Sequence, residues 1–209
     1  MTHPPSGPPK PETPRADIVV RAGFPEAQRD RAAALYWQAF QGKLHRLMGP
    51  EAKALSFLRQ VADPDFAISA LGPDGRLLGV AGFKTAEGGF MGGEMADLRA
   101  VYGGLGALWR GLGLSVLERP VTPGILLMDG IMVEASARGQ GIGRALLTAI
   151  KQTARSQGCR QVRLDVIDTN PRARALYERE GFVAGDTTDL GPFRALFGFR
   201  SATTMICPL

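Results

Sequence analysis

Apolar residues along the chain fall into two kinds of run. Continuous or alternating runs at 18–20, 66–71, 77–83, 125–134 and 162–167 have the short length and β-branched content of strands. Runs spaced by three and four residues read as helices. One starts at Pro25 and places Ala33, Tyr36, Trp37 and Phe40 on a face; a second follows Pro50, with Leu55, Leu58 and Val61, and stops at Asp63-Pro64. Gly72-Pro73-Asp74-Gly75 is a turn sequence that makes 66–71 and 77–83 an antiparallel hairpin. From Glu94 to about Glu118, Leu98, Val101, Tyr102, Leu105, Leu108 and Trp109 recur at helical spacing despite several glycines, which predicts one broken helix or two. The run 125–134 is apolar at both parities, as a central strand covered on both faces would be, and Gly130 inside it marks a bulge or a close approach. Ile142, Leu146, Ala149, Ile150 and Thr153 then give a helix ending at Gly158. Strand, helix and strand follow in order, so 125–134 and 162–167 are expected to be parallel through a right-handed crossover. A short helix runs from Pro171 to about Glu180, and 182–183 and 199–206 close the pattern as strands. The sum is a single mixed α/β layer.

Composition narrows the function. The 209 residues, 44% hydrophobic, suffice for one ordinary domain with a sizeable core, here spanning 16–209. Six prolines before residue 15 and no apolar period make 1–15 a disordered or extended tail. With no membrane-length apolar stretch and no signal-peptide pattern, the expectation is a cytoplasmic protein with no membrane partner. Cys159 and Cys207 give neither a disulfide framework nor a metal spacing. His3 and His45 cannot economically build a Ser-His-Asp triad or a zinc site, so no metal is expected. A net charge of +5 favours an anionic partner without singling out nucleic acid, and none is expected.

Two motifs carry chemistry. Arg138-Gly139-Gln140-Gly141-Ile142-Gly143 follows a strand and starts a helix, so its amides and the helix dipole can converge on an anion that no side chain blocks. The same arrangement also serves as a tight turn that packs a helix on a sheet. Arg144 stands where a dinucleotide fingerprint needs glycine, and no Lys-Ser or Lys-Thr follows to make a Walker motif. Asn170 and Pro171 are a strong helix start and Gly181 a natural stop. Between them Ala173 and Tyr177 share a face, leaving room for a ligand that the hydroxyl reaches; alone, Tyr177 reads equally as a core tyrosine.

In order and spacing the two motifs resemble the GCN5-related N-acetyltransferase (GNAT) superfamily. Arg138, Gly141 and Gly143 satisfy its R/Q-x-x-G-x-G/A signature, and Asn170, Ala173, Tyr177, Gly181 and Phe182 its N-x-x-A-x-x-x-Y-x-x-x-G-F segment. The likeness is firm over 125–185 and looser back to residue 16. It implies an α/β, single-domain GNAT-like fold whose mixed central sheet, flanked by helices, is splayed at the cofactor site. It also implies an enzyme, an acetyl-CoA-dependent N-acetyltransferase acting by direct attack of an amine on the thioester. Acetyl-CoA would lay its pyrophosphate on the amides of Arg138, Gly139, Gln140, Gly141, Ile142, Gly143 and Arg144. Its pantetheine arm would run along Ile131, Met132 and Val133, with Gly130 at the splay. Asn170 and Ala173 would meet the arm, and Tyr177 would protonate the departing thiolate. Backbone amides near Met132 and Val133 would polarise the carbonyl.

An alkyl ammonium has to lose a proton before it attacks, which calls for a base. Asp165, mid-strand and five residues before Asn170, and Asp129, in an otherwise apolar run, are both suited; each could instead be a carboxylate paired with an arginine. Glu134 is a third choice. The chain departs from the family pattern in the forty-odd residues at about 84–124, a partly helical insertion that reads as a substrate-side element, an oligomer contact such as a homodimer interface, or added core. An acetyltransferase for an amine of a small molecule or peptide is therefore the leading reading. A non-catalytic acyl-CoA-binding or sensory module on the same fold is its alternative, and a basic binding protein with a structural glycine turn the third.

Overall fold

The computed structural model describes residues 17–209, and the proline-rich stretch 1–15 lies outside them. One sheet of seven strands organises the chain: β1 (Val19–Ala22), β2 (Ala67–Leu71), β3 (Leu77–Lys84), β4 (Ile125–Val133), β5 (Gln161–Ile167), β6 (Val183–Asp189) and β7 (Ser201–Pro208), in the spatial order β1-β2-β3-β4-β5-β7-β6. All neighbours are antiparallel except β4 and β5, the pair the crossover rule makes parallel.

Six helices cover the two faces: α1 (Arg29–Met48), α2 (Glu51–Val61), α3 (Met95–Ser115), α4 (Ile142–Ser156), α5 (Pro171–Arg179) and the single turn α6 (Arg194–Phe197). The buried face of α4, Ile142, Leu146, Leu147, Ile150 and Ala154, packs with Val162, Leu164 and Val166 of β5 and with Tyr177 and Phe182. On the other face Trp37, Leu44 and Leu47 of α1 meet Phe57 and Leu58 of α2 and Leu98 and Tyr102 of α3. Side chains of a strand alternate between faces. Arg163, Asp165 and Ile167 of β5 are therefore turned toward α1, opposite Leu164.

Two elements refine the sequence expectation. The apolar run 94–118 is one helix in hydrogen bonding, broken at Gly103, whose left-handed backbone (φ 72°) turns the chain. Its second half leaves Leu105 and Leu112 exposed, at 86% and 72%, so those positions are not core. The second is β6, where only Phe182-Val183 hinted at a strand. It is an exposed edge strand, Val183–Asp189, whose pattern is set by pairing to β7 rather than by burial, and periodicity cannot see that.

Candidate active site

The site lies where β4 and β5 part. Their parallel pairing runs only from Ile125 opposite Gln161 to Leu127 opposite Arg163. Beyond it β5 stays paired to β7, and β4 to β3, so a gap opens between them. The β3–β4 register shifts at this point: Gly82 faces Gly130 but Phe83 faces Met128, leaving Asp129 as the extra residue of a bulge. Gly130 is required there, since a Cβ on it would lie 2.8 Å from Cζ of Phe40.

Hydrogen-bond alternation fixes which backbone groups face the gap. The Glu134 amide donates to the Leu78 carbonyl at 2.8 Å, which makes Met132 opposite Val80, two residues earlier, a hydrogen-bonded pair as well. Ile131 and Val133 therefore turn their amides and carbonyls away from β3, toward β5. The Val133 carbonyl accepts from Nε of Arg138 at 3.1 Å, as this requires. Of the three residues expected to line the cofactor arm, Ile131 and Val133 offer the gap backbone groups. The backbone of Met132 is committed to β3, which corrects its expected part in polarising a carbonyl.

At the end of this strand the chain makes a short turn over Ala135–Ala137 and enters the glycine motif. Gly139 (φ 78°) and Gly141 (φ 76°) are left-handed, and Gly141 caps α4. The first backbone bond of the helix is from the Ala145 amide to the Gly141 carbonyl. The amides of Ile142, Gly143 and Arg144 thus have no partner within the helix, at its positive end. Gly143 also lets α5 approach, as a Cβ there would lie 3.1 Å from Cδ2 of Leu176. Arg144 pairs with Glu180 at 3.1 Å, tying the start of α4 to the end of α5. Asn170 caps α5, its side chain accepting from the Ala173 amide at 3.1 Å. Tyr177 is buried against Phe182, and burial pushes its phenol up to about 12.

The opposite face of the gap holds a cavity of about 220 Å³, lined by Tyr36, Phe40 and Lys43 of α1, Leu127 to Asp129 of β4, Asp165 and Ile167 of β5, and Leu117 to Arg119 after α3. Tyr36, Phe40 and Lys43 recur at i, i+4 and i+7, one face of a helix. The 84–124 insertion contributes to both core and cavity: Leu98 and Tyr102 are buried, whereas Glu118 and Arg119 reach the cavity wall.

The three carboxylates differ sharply in surroundings. Asp129 makes no ion pair among the described residues; burial raises its pKa to about 6, against the opposing charge of Lys84. Asp165 is committed, with Arg119 Nε at 2.9 Å on one oxygen and the Thr204 hydroxyl donating at 2.8 Å to the other. It is the arginine-paired carboxylate of the structural alternative. Glu134 is held by Arg31 at 2.5 Å and Arg76 at 2.6 Å, and the hydrogen bond from Arg31 foremost lowers its pKa. Clamped between two guanidiniums, it lies outside the cavity lining that holds Asp129 and Asp165.

Sequence reading missed Lys43. Burial lowers its pKa to about 8, with the charge of Asp165 opposing, and its Nζ lies 4.9 Å from the ring centre of Phe40 and 5.5 Å from that of Phe199. The available signal was a lysine three residues after Phe40 on an otherwise apolar helix face. Among the described residues no group of His, Cys, Asp and Glu could hold a metal ion.

Residues 29–182 match the model of the Acetyltransferase (GNAT) family, and the chain belongs to that family. Thialysine N-epsilon-acetyltransferase of Bos taurus is 39% identical over 64 residues, 31% of this chain and 36% of the bovine protein. Mycothiol acetyltransferase of Beutenbergia cavernae is 46% identical over 50 residues, 24% of this chain and 17% of that protein. The chain thus matches about a third or less of the length of these two curated relatives. Among solved structures, an N-acetyltransferase from Staphylococcus aureus Mu50 superposes with a TM-score of 0.66 at 15% identity, covering 90% of this chain and 99% of that one. The PaiA N-acetyltransferase of Thermoplasma acidophilum, in complex with coenzyme A, gives 0.56 at 13% identity, covering 92% and 99%. At such identities the likeness is one of fold.

Proposed function

We propose that this protein is an acetyl-CoA-dependent N-acetyltransferase in which an amine attacks the thioester directly. The observation that carries the reading is the parting of β4 from β5 after Leu127, with unpaired helix amides at one end and a half-buried carboxylate of raised pKa beside it. Residues present fit acetyl-CoA. The amides of Gly139 to Arg144 suit its pyrophosphate. Backbone groups of Ile131 and Val133 suit an amide-bearing arm laid along β4 like an added strand. Asn170 and Ala173, at the start of α5, flank that arm. When bound, acetyl-CoA supplies the activated acyl group.

Asp129 holds the acceptor ammonium and takes the proton that must leave before the nitrogen lone pair attacks the thioester; the second proton, made acidic by bond formation, leaves to solvent. The Val133 amide, or that of Ile131, donates to the carbonyl oxygen as charge develops. Tyr177 donates to the departing sulfur. Arg119 and Asp165 position the wall formed by the insertion. The names of the relatives favour an amine acceptor, and two free thiols and the absence of any membrane-length helix among the described residues favour the cytoplasm. The exposed stripe Leu105, Leu108 and Leu112 on α3 is apolar at helical spacing and suits pairing with a second copy about a twofold axis. Leu108→Glu with Leu112→Glu is then expected to halve the molar mass measured by light scattering, and an unchanged mass would remove this homodimer.

Acetyl-CoA is expected to raise the melting temperature, and an amine panel to release free thiol from it. Stabilisation without thiol release would favour the non-catalytic module, and no stabilisation would sink the cofactor reading. Gly139→Ala isolates the phosphate loop. A Cβ there meets no protein atom within 4 Å, so within the protein its cost is the left-handed backbone alone, about 1 kcal/mol. The expected result is a several-fold higher KM for acetyl-CoA with kcat nearly unchanged.

A further inference from the structure

Six charged side chains line the cavity: Lys43, Lys84, Glu118, Arg119, Asp129 and Asp165. Four of them neutralise one another, Lys84 with Glu118 at 3.1 Å and Arg119 with Asp165 at 2.9 Å. What remains is one cation and one anion without an ion-pair partner among the described residues, Lys43 and Asp129. They do not satisfy each other. Asp129 belongs to the Tyr36 end of α1, where its charge raises the tyrosine pKa further above the large effect of burial. Lys43 stands seven residues on, about 10 Å along the helix axis, within reach of the charge of Asp165. Phe40 lies between: its rim abuts Gly130, next to Asp129, and its face carries the ammonium of Lys43.

We propose that the acceptor is an amine that also carries an anionic group, an ω-amino carboxylate in the simplest case, with its amine at Asp129, its anion at Lys43 and its methylenes on Phe40. This rests on the acetyltransferase reading and adds the substrate class. The ring faces of Phe40 and Phe199 offset part of the cost of desolvating an ammonium, but they leave its three N–H donors without a strong acceptor. A carboxylate supplies one as a charge-assisted bond. Lys43 would conversely repel the second ammonium of a diamine, and neither closed ion pair offers it a free carboxylate. A dipolar acceptor leaves the cavity neutral with both unpaired charges matched.

The test compares acceptors that differ in one group: 6-aminohexanoate, hexylamine and 1,6-diaminohexane, with 5-aminopentyl phosphate, which keeps the five-methylene spacer, as the arm that separates phosphate from carboxylate. Thiol release from acetyl-CoA is followed with each. On the wild-type protein kcat/KM for 6-aminohexanoate is expected to exceed that for hexylamine and the diamine by at least about tenfold, the equivalent of one charge-assisted contact. Lys43→Gln is expected to erase that preference and Lys43→Glu to turn it toward the diamine, with KM for acetyl-CoA and the melting temperature reporting that each variant is folded. A preference for the phosphate over the carboxylate would keep the anionic class and overturn the carboxylate. Equal or better use of the diamine by wild type, or a preference unmoved in Lys43→Gln, would overturn the proposal while leaving acetyl transfer standing. Acetyl-CoA binding with no thiol release from any of the amines would overturn both.

Discussion

Asp129→Asn is expected to lower kcat/KM by about 10²- to 10⁴-fold, the range for removal of a general base, while KM for acetyl-CoA stays within about twofold. Among the described residues Asp129 is the only cavity carboxylate not already in an ion pair, and its pKa of about 6 leaves it ionised at neutral pH. In the wild-type protein kcat/KM should therefore fall as pH drops through about 6. The variant should lose that inflection. Asp165→Asn, which breaks the contact to Arg119, should keep it even if overall activity drops. A retained inflection in Asp129→Asn, or its loss in Asp165→Asn, would move the role of base to Asp165. The same substitution carries a stability signature. The carboxyl pKa is raised on folding from 3.8 to about 6, so folding favours the protonated form. Stability gained from that protonation is fully present below about pH 4 and lost as pH rises through 6, a difference of about 3 kcal/mol at most. Asp129→Asn should thus melt at a higher temperature than wild type at pH 7 to 8, with the gap closing toward pH 4. A protein more stable and nearly inactive is the mark of a carboxylate kept for chemistry.

How much of this site the sequence could reveal depended on whether the signal was local. The glycine motif and the cap at Asn170 are local: left-handed backbone at Gly139 and Gly141 and an Asx cap need only neighbours, and both stand where spacing put them. The parallel β4–β5 pair followed from the crossover length. What the amino-acid order could not reveal is pairing between distant segments. Asp129 and Asp165 look alike in sequence, each an acid in an apolar strand, and only the arrival of Arg119 from the insertion and Thr204 from β7 separates them. Lys43 was hidden for the same reason. Its meaning comes from what faces it across the sheet. The bulge was half visible: Gly130 signalled an irregularity, but the choice of Ile131 and Val133 over Met132 needs the β3 register.

Tyr177→Phe is expected to lower kcat by about 10- to 100-fold, the worth of a hydrogen bond to a developing charge, with little change in KM for either substrate. The size follows from the environment. Burial pushes the phenol up to about 12, whereas a free thiol has a pKa near 8.5. Full proton transfer from Tyr177 to a thiolate is uphill by about 3.5 units, close to 5 kcal/mol. On the proposed mechanism the hydroxyl would therefore stabilise the leaving sulfur by donating a hydrogen bond, with the thiolate taking its proton from solvent after release. A residue acting this way imposes no basic limb of its own on the pH profile below about pH 10. It also makes the variant's deficit independent of pH between 6 and 9. Were Tyr177 a full proton donor, the deficit would reach 10³-fold or more and shrink in acid, where solvent protons substitute. The phenylalanine variant is a clean probe, because the ring stays packed on Phe182 in the core beside α4 and only the hydroxyl is lost. A fall in kcat of less than about threefold would return Tyr177 to the core-tyrosine reading.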